Sequence, residues 1–276
     1  MSKSKRKKQS RFLAGHQRSW LWGRHPVTEV IEAGRWPVME LYLADTLSAE
    51  VIGHASALAE AQGAEVSVAT PERLRELGHV DEHQGFLARM GPFPYASVEE
   101  TVRGGEEGGR DDGTPGLWLV LDAIQDTFNF GAIVRSAEAM GARGIFVGTT
   151  SQAGVNSLVA RASAGAVNRI PIAEVEDLAA LVEMLCASGT QVLAADEKGG
   201  DTCTQCDFRA ATALVLGNEG RGVRPELVSR CGGRVCIPMS GSIASLNVAA
   251  AAAVLLYEAW RQKHDAGKNG QLTIDN

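Results

Sequence analysis

Short apolar runs recur along the chain, separated by stretches in which apolar side chains return at every third or fourth position; this is the alternation of strand and helix. In the first third, residues 25–34 read as a helix and 39–45 (MELYLAD) as a strand. A helix then runs from an N-cap at Ser48 to about residue 62, with Glu50 in its first turn. Residues 65–70 (EVSVAT) and 85–90 read as strands, with a short helix at 71–77 between them. Beyond residue 116 the strands are 117–123 (LWLVLDA), 144–148 (GIFVG), 169–173, 191–195, 213–217 (ALVLG) and 234–239, and the helices are 129–140, 177–187 and 246–262. Strands this short and this uniformly apolar, set between helices, imply a parallel sheet covered on both faces. The expected fold is therefore α/β throughout, with a small domain over residues 15–95 and a larger one over 117–265.

A change of composition separates the two. Residues 104–116 (GGEEGGRDDGTPG) hold six glycines in 13 positions and no apolar side chain, so a glycine-rich linker is expected over 96–116. With 276 residues, 45% hydrophobic and 22% charged, the chain can bury two ordinary cores. No apolar run approaches the roughly 18 residues that span a bilayer, and no apolar stretch follows the basic start as in a secretory signal. Five scattered cysteines suit a reducing cytoplasm rather than a disulfide framework. Cys203-x-x-Cys206 and Cys231-x-x-x-x-Cys236 could offer four thiolates to zinc. The second spacing is wide and Cys236 falls in a strand expected to be buried, so no metal is expected.

Charge is unevenly spread. Eight of the 27 Lys and Arg lie in the first 24 residues, with no acid among them, so the rest carries 19 basic against 33 acidic residues. Residues 1–14 read as a disordered basic arm that either solubilises the chain or adds salt-sensitive phosphate contacts, and 266–276 as a tail.

Three loops at the C-terminal ends of expected strands carry the candidate chemistry, at the edge where open α/β sheets bind ligands. The first, 126–135 (DTFNFGAIVR), has Asn129 as a helix cap and Arg135 about one and a half turns further on. A cation so close to a helix N-terminus opposes the dipole; this suggests an anionic partner, or else an ordinary ion pair. The second, 216–222 (LGNEGRG), has glycines spaced G-x-x-G-x-G around Glu219, which is not the G-x-G-x-x-G of a dinucleotide site. The third, 237–247 (IPMSGSIASLN), feeds an alanine-rich helix, with Ser245 and Asn247 as possible caps.

Taken together and in this order, NFGAIVRSAEAMG, LVLGNEGRG and IPMSGSIASLNVAAA closely resemble the three motifs of the TrmH family of SPOUT RNA methyltransferases. Residues 25–90, with His83-Gln84-Gly85, resemble the ribosomal-protein-like RNA-binding domain that precedes the catalytic domain in one branch of that family. The resemblance implies a sheet whose C-terminal segment is threaded into a trefoil knot, and a homodimer formed through that domain. It implies S-adenosylmethionine as cofactor, held largely by main chain at Gly217, Ile237 and Leu246, with Gly220 and Met239 beside them. Arg135 is implied as the key residue, either as general base or as holder of the RNA phosphate and stabiliser of the developing alkoxide; an arginine pKa above about 12 favours the second role. Asn129, Glu219, Ser245 and Asn247 match the other polar motif positions. The implied reaction is methyl transfer to the ribose 2′-hydroxyl of a guanosine in 23S rRNA. Alternatives are a tRNA 2′-O-methyltransferase or a non-catalytic RNA-binding factor in ribosome assembly.

Overall fold

Trp20–Trp22 (β1) opens the smaller of two sheets, a strand too short for its pattern to announce. All three residues are buried and pair antiparallel with Phe86–Met90 (β4). The rest of this sheet is Val38–Ala44 (β2) and Glu65–Ala69 (β3), in the order β1-β4-β2-β3, with β2 antiparallel to β4 and parallel to β3. Helices Arg24–Ala33 (α1), Ala49–Ala61 (α2) and Pro71–Gly78 (α3) pack on it. Ser48 caps α2 as expected, its hydroxyl accepting from the Val51 N–H. The structure, a computed structural model, describes residues 19–103, 114–197, 199–243 and 245–265. The basic arm (1–14), the glycine-rich core of the expected linker (104–113) and the tail (266–276) lie outside the described residues.

The linker expected over 96–116 does not hold for its first part. Val98–Arg103 form a helix (α4), started by a reciprocal cap in which Ser97 Oγ accepts from the Glu100 N–H and Glu100 Oε2 from the Ser97 N–H. Val98 and Val102 pack on the core of the larger sheet, and Trp118 Nε1 donates to the Thr101 carbonyl at 3.0 Å. Burying these groups ties the segment down. The division between compact units accordingly falls at residues 94 and 95, ahead of the glycines.

The larger sheet has seven strands in the order β7-β6-β5-β10-β8-β11-β9, with every pairing parallel. They are Leu117–Asp122 (β5), Gly144–Gly148 (β6), Ile172–Val175 (β7), Gln191–Ala195 (β8), Asp201–Thr202 (β9), Thr212–Gly217 (β10) and Gly233–Cys236 (β11). Central β5 and β10 are buried at every position, as their largely apolar composition demands. Thr127–Ala139 (α5) contributes Phe130, Ile133, Val134 and Ala137 to the core, and Leu178–Ala187 (α7) contributes Leu181, Val182 and Leu185. The last helix, Val248–Asp265 (α9), packs along α5.

Residues 154–169 group with the smaller sheet. They comprise Ser157–Ala162 (α6) and a 3-10 turn at Ala166–Asn168. The guanidinium of Arg161 lies 4.1 Å above the Trp22 ring, and Arg169 pairs with Glu29 at 2.6 Å. The strand expected at 169–173 begins instead at Ile172, because residues 166–169 complete this turn. The His83-Gln84-Gly85 turn is built on positive φ at Gln84 and Gly85, and the buried His83 accepts the Gly85 N–H on Nδ1 at 3.0 Å. Among the described residues no helix is long and apolar enough to cross a membrane.

Candidate active site

The three candidate loops leave the C-terminal edge of the larger sheet. Asp122 ends β5 and lies directly opposite Gly217, which ends β10. Asp122 is only 2% exposed, and both of its oxygens are taken by Arg224: Nε donates to Oδ1 at 2.8 Å and the main-chain N–H to Oδ2 at 2.9 Å. One residue on, the Ala123 carbonyl accepts from Asn218 Nδ2 at 3.0 Å. The loop between β10 and the short helix Pro225–Val228 (α8) is therefore clasped to β5 at both of its ends. Nothing in the apolar run LWLVLD singles out Asp122 or Arg224 beforehand, except that an acid terminates an otherwise apolar strand.

Gly217 has a local reason to be glycine. A Cβ there would lie 2.0 Å from the Val223 N and 2.1 Å from the Gly222 carbonyl carbon, so the returning main chain of its own loop occupies the space. The next turn is closed by the Gly222 N–H donating to the Asn218 carbonyl and by Asn218 Oδ1 accepting from the Gly220 N–H at 3.0 Å.

Asn129 does not cap α5. Asp126 does, its Oδ1 accepting the N–H groups of Phe128 and Asn129 at 2.8 Å each. Freed from that duty, the Asn129 amide donates through Nδ2 to Glu219 Oε1 (3.2 Å) and accepts through Oδ1 from Asn247 Nδ2 (2.9 Å). Asn247 in turn starts α9, its Oδ1 accepting from the Ala249 and Ala250 N–H groups. Glu219 collects three donors in all, from Asn129 Nδ2, the Asp126 N–H and Asn218 Nδ2. A directional chain thus runs from Asn247 through Asn129 to Glu219, with one residue drawn from each of the three loops.

Arg135 stands outside this chain. It is exposed and pairs with no acid among the described residues. It also lies eight residues beyond Thr127, about 12 Å along the helix, too far for the N-terminal dipole to oppose its charge. What suggests an anionic partner is therefore a guanidinium that pairs with no acid among the described residues, not the dipole. Ser245 is exposed and joins no described contact of the network, while Leu246 and Ile237 are half-buried and Met239 is 38% exposed.

The main-chain groups of residues 238–243 bond to no other described residue, and apolar Met239 and Ile243 lie exposed beside them. Main-chain groups without a partner among the described residues, flanked by apolar side chains, fit a cofactor gripped by main chain, with an adenine face and a methionine chain to cover. Among the described residues no three His, Cys, Asp or Glu side chains gather as a metal set. Burial pushes the thiols of Cys203 and Cys206 up, and that of Cys231 up to about 11.

Residues 116–257 match the model of the SpoU rRNA methylase family, and residues 20–96 match an RNA 2′-O ribose methyltransferase substrate-binding domain. The chain belongs to the SpoU rRNA methylase family. It is 33% identical to the 23S rRNA (guanosine-2′-O-)-methyltransferase RlmB of Ralstonia nicotianae over 88% of its own length and 95% of that protein's. Among solved structures, SpoU methyltransferase AviRb from Streptomyces viridochromogenes, in complex with AdoMet, superposes with a TM-score of 0.71 at 29% identity, covering 89% of this chain and 90% of that one. The AdoMet-bound rRNA methyltransferase from Sinorhizobium meliloti gives 0.74 at 25% identity, covering 88% and 86%. This SpoU protein is an RNA 2′-O-methyltransferase that uses S-adenosylmethionine. Its motifs are the three loops joined by the Asn247–Asn129–Glu219 chain.

Proposed function

We propose that the protein methylates the ribose 2′-hydroxyl of a guanosine in 23S rRNA, acting as a homodimer in the cytoplasm. The reading of the reaction site is supported above all by the Asn247–Asn129–Glu219 chain, which joins the three motif loops, with Arg135 on the same helix as Asn129 and no acid paired with it among the described residues. The choice of 23S rRNA is supported by the RlmB relative, similar along nearly the whole of both chains. Five free thiols suit a reducing compartment. The exposed apolar positions Val254 and Tyr257 of α9 suit a second copy of the chain.

S-Adenosylmethionine supplies an activated methyl on a sulfonium. Main chain at Gly217, Gly220, Ile237 and Leu246, with the Met239 side chain, would hold it, and a trefoil-knotted C-terminal segment belongs to the same proposal. The remaining work falls to this chain's own side chains. A ribose hydroxyl is a poor nucleophile at neutral pH, so its oxygen must be aligned and its developing negative charge stabilised while its proton passes to the neighbouring RNA phosphate or to water and the sulfonium leaves as a neutral thioether. Arg135, a planar fork with five donors, grips the phosphate next to the target ribose and turns a remaining N–H toward the 2′-oxygen. Asn129, its amide fixed at both ends, orients the ribose. Glu219 keeps Asn129 in that rotamer, and Ser245 and Asn247 shape the far wall. The basic arm adds phosphate contacts that weaken with salt.

The test is genetic and chemical together. In cells lacking the gene, 23S rRNA should lose one 2′-O-methylguanosine that the wild-type gene restores and the Arg135→Ala gene does not. Recovery of that nucleoside with the Arg135→Ala gene, or no change in 23S rRNA on deletion, would contradict the assignment.

A further inference from the structure

In the first turn of α5 Phe130 is buried but Phe128 is 64% exposed, although the neighbouring Asn129 anchors the site. A single exposed apolar side chain is ordinary on a protein surface, so what distinguishes Phe128 is its place beside the polar network and on the stripe of Arg135. Helix geometry relates the two positions. Residues seven apart differ by about 20° in azimuth, so Phe128 and Arg135 share one stripe of α5, separated by about 10 Å along its axis. Long side chains on a helix favour rotamers that lean toward its N-terminus, a direction that brings a guanidinium at 135 toward a ring at 128. The stripe thus offers an apolar ring at one end and a cation without a described partner at the other, with the Asn129 amide flanking it.

We infer that Phe128 is the platform on which the target nucleobase stacks, and that it helps select a base lifted out of the RNA fold. The order of groups along a nucleotide matches the order along the stripe: base on Phe128, ribose at Asn129, phosphate at Arg135. Stacking needs only a π-face, so Phe128 secures an unpaired base, while recognition of its hydrogen-bonding edge falls to other groups. A base still paired within a duplex cannot present its face to the ring, so the platform discriminates against helical RNA. This inference rests on the proposed site of ribose methylation and goes beyond it, because no motif position assigns residue 128 a role.

The experiment compares Phe128→Ala, Phe128→Leu and Phe128→Trp in the full chain. Methyl transfer from S-adenosylmethionine to a 23S rRNA transcript gives kcat/KM for RNA. Anisotropy of a fluorescent rRNA fragment gives its affinity without requiring turnover, and sedimentation gives the oligomeric state. Stacking on one ring accounts for roughly 5- to 150-fold in affinity. Both Ala and Leu should therefore lower kcat/KM for RNA at least five-fold and weaken RNA binding, while Trp stays close to wild type. KM for S-adenosylmethionine and the sedimentation coefficient should not move. Leu performing as well as Phe would overturn the inference, since bulk and apolarity alone would then suffice. So would a change of oligomeric state in Phe128→Ala, which would make the ring a subunit contact. If the wild type methylates neither rRNA nor tRNA, the functional proposal falls separately, and the anisotropy series still decides whether residue 128 grips RNA.

Discussion

Two arginines border the site in opposite circumstances, and their substitution should separate folding from chemistry. Arg224 serves the buried carboxylate of Asp122, and its side chain is nevertheless 57% exposed. Replacing it with Ala strands one carboxylate oxygen in the sheet edge and should cost about 2 kcal/mol, read as a lowered midpoint in urea unfolding. An unchanged midpoint would mean that water replaces the guanidinium without penalty. Arg135 has no described partner to strand, so Arg135→Lys should melt like the wild type. Its turnover should fall by about a hundred-fold or more, because a point charge cannot hold phosphate and hydroxyl oxygen together as a fork does. Glu219→Gln should also preserve the fold while lowering turnover, since its new amide donors face the Asn129 and Asn218 amides that now donate to it. Unchanged turnover would leave Glu219 a purely structural residue.

Elements make the next level of prediction. Gly217→Ala forces a methyl into the main chain of residues 222 and 223, which no rotamer relieves. The variant should lose cofactor binding by calorimetry, and intact binding would contradict the tight loop return. This position also illustrates what was legible in the sequence. The strand ends, the three loops and their family resemblance could be read from pattern and motif, and the buried strands β5 and β10 from composition. The partner of Asp122 could not, because Arg224 comes from a loop about a hundred residues away and nothing local marks the pair. Nor could the cap of α5: Asp126 and Asn129 are both good capping residues three apart, and only the fold assigns one to the helix and the other to Glu219. β1 is three residues long, below what periodicity resolves, and is identified by its pairing with β4. Helix α4 was hidden because the glycines that follow it suggested a linker that includes it.

Across the whole molecule, the pH dependence of stability carries a signature of α9. Burial lowers the pKa of Lys263, which donates to the Ala210 carbonyl, from 10.5 to about 8, against a smaller opposing pull from Asp207. The unfolded chain therefore holds this proton more tightly than the folded one between about pH 8 and 10.5, and unfolding becomes harder as pH rises through that window. Cys231 acts in the opposite sense: its thiol ionises near 9 when unfolded and about 11 when folded, so it weakens the fold as pH rises between those values. Subtracting the Lys263→Met stability curve from the wild-type curve isolates the lysine. The difference should move in favour of wild type as pH rises from about 8 to 10, and a flat difference would show the ammonium to be solvated after all.

The measurement that bears most directly on the central claim is transfer of tritiated methyl from S-adenosylmethionine to unmodified 23S rRNA transcript, with bulk tRNA transcript in parallel. Label is expected in the 23S rRNA alone, recovered after digestion as 2′-O-methylguanosine. Label confined to tRNA, or recovered on any atom other than a ribose 2′-oxygen, would contradict that claim.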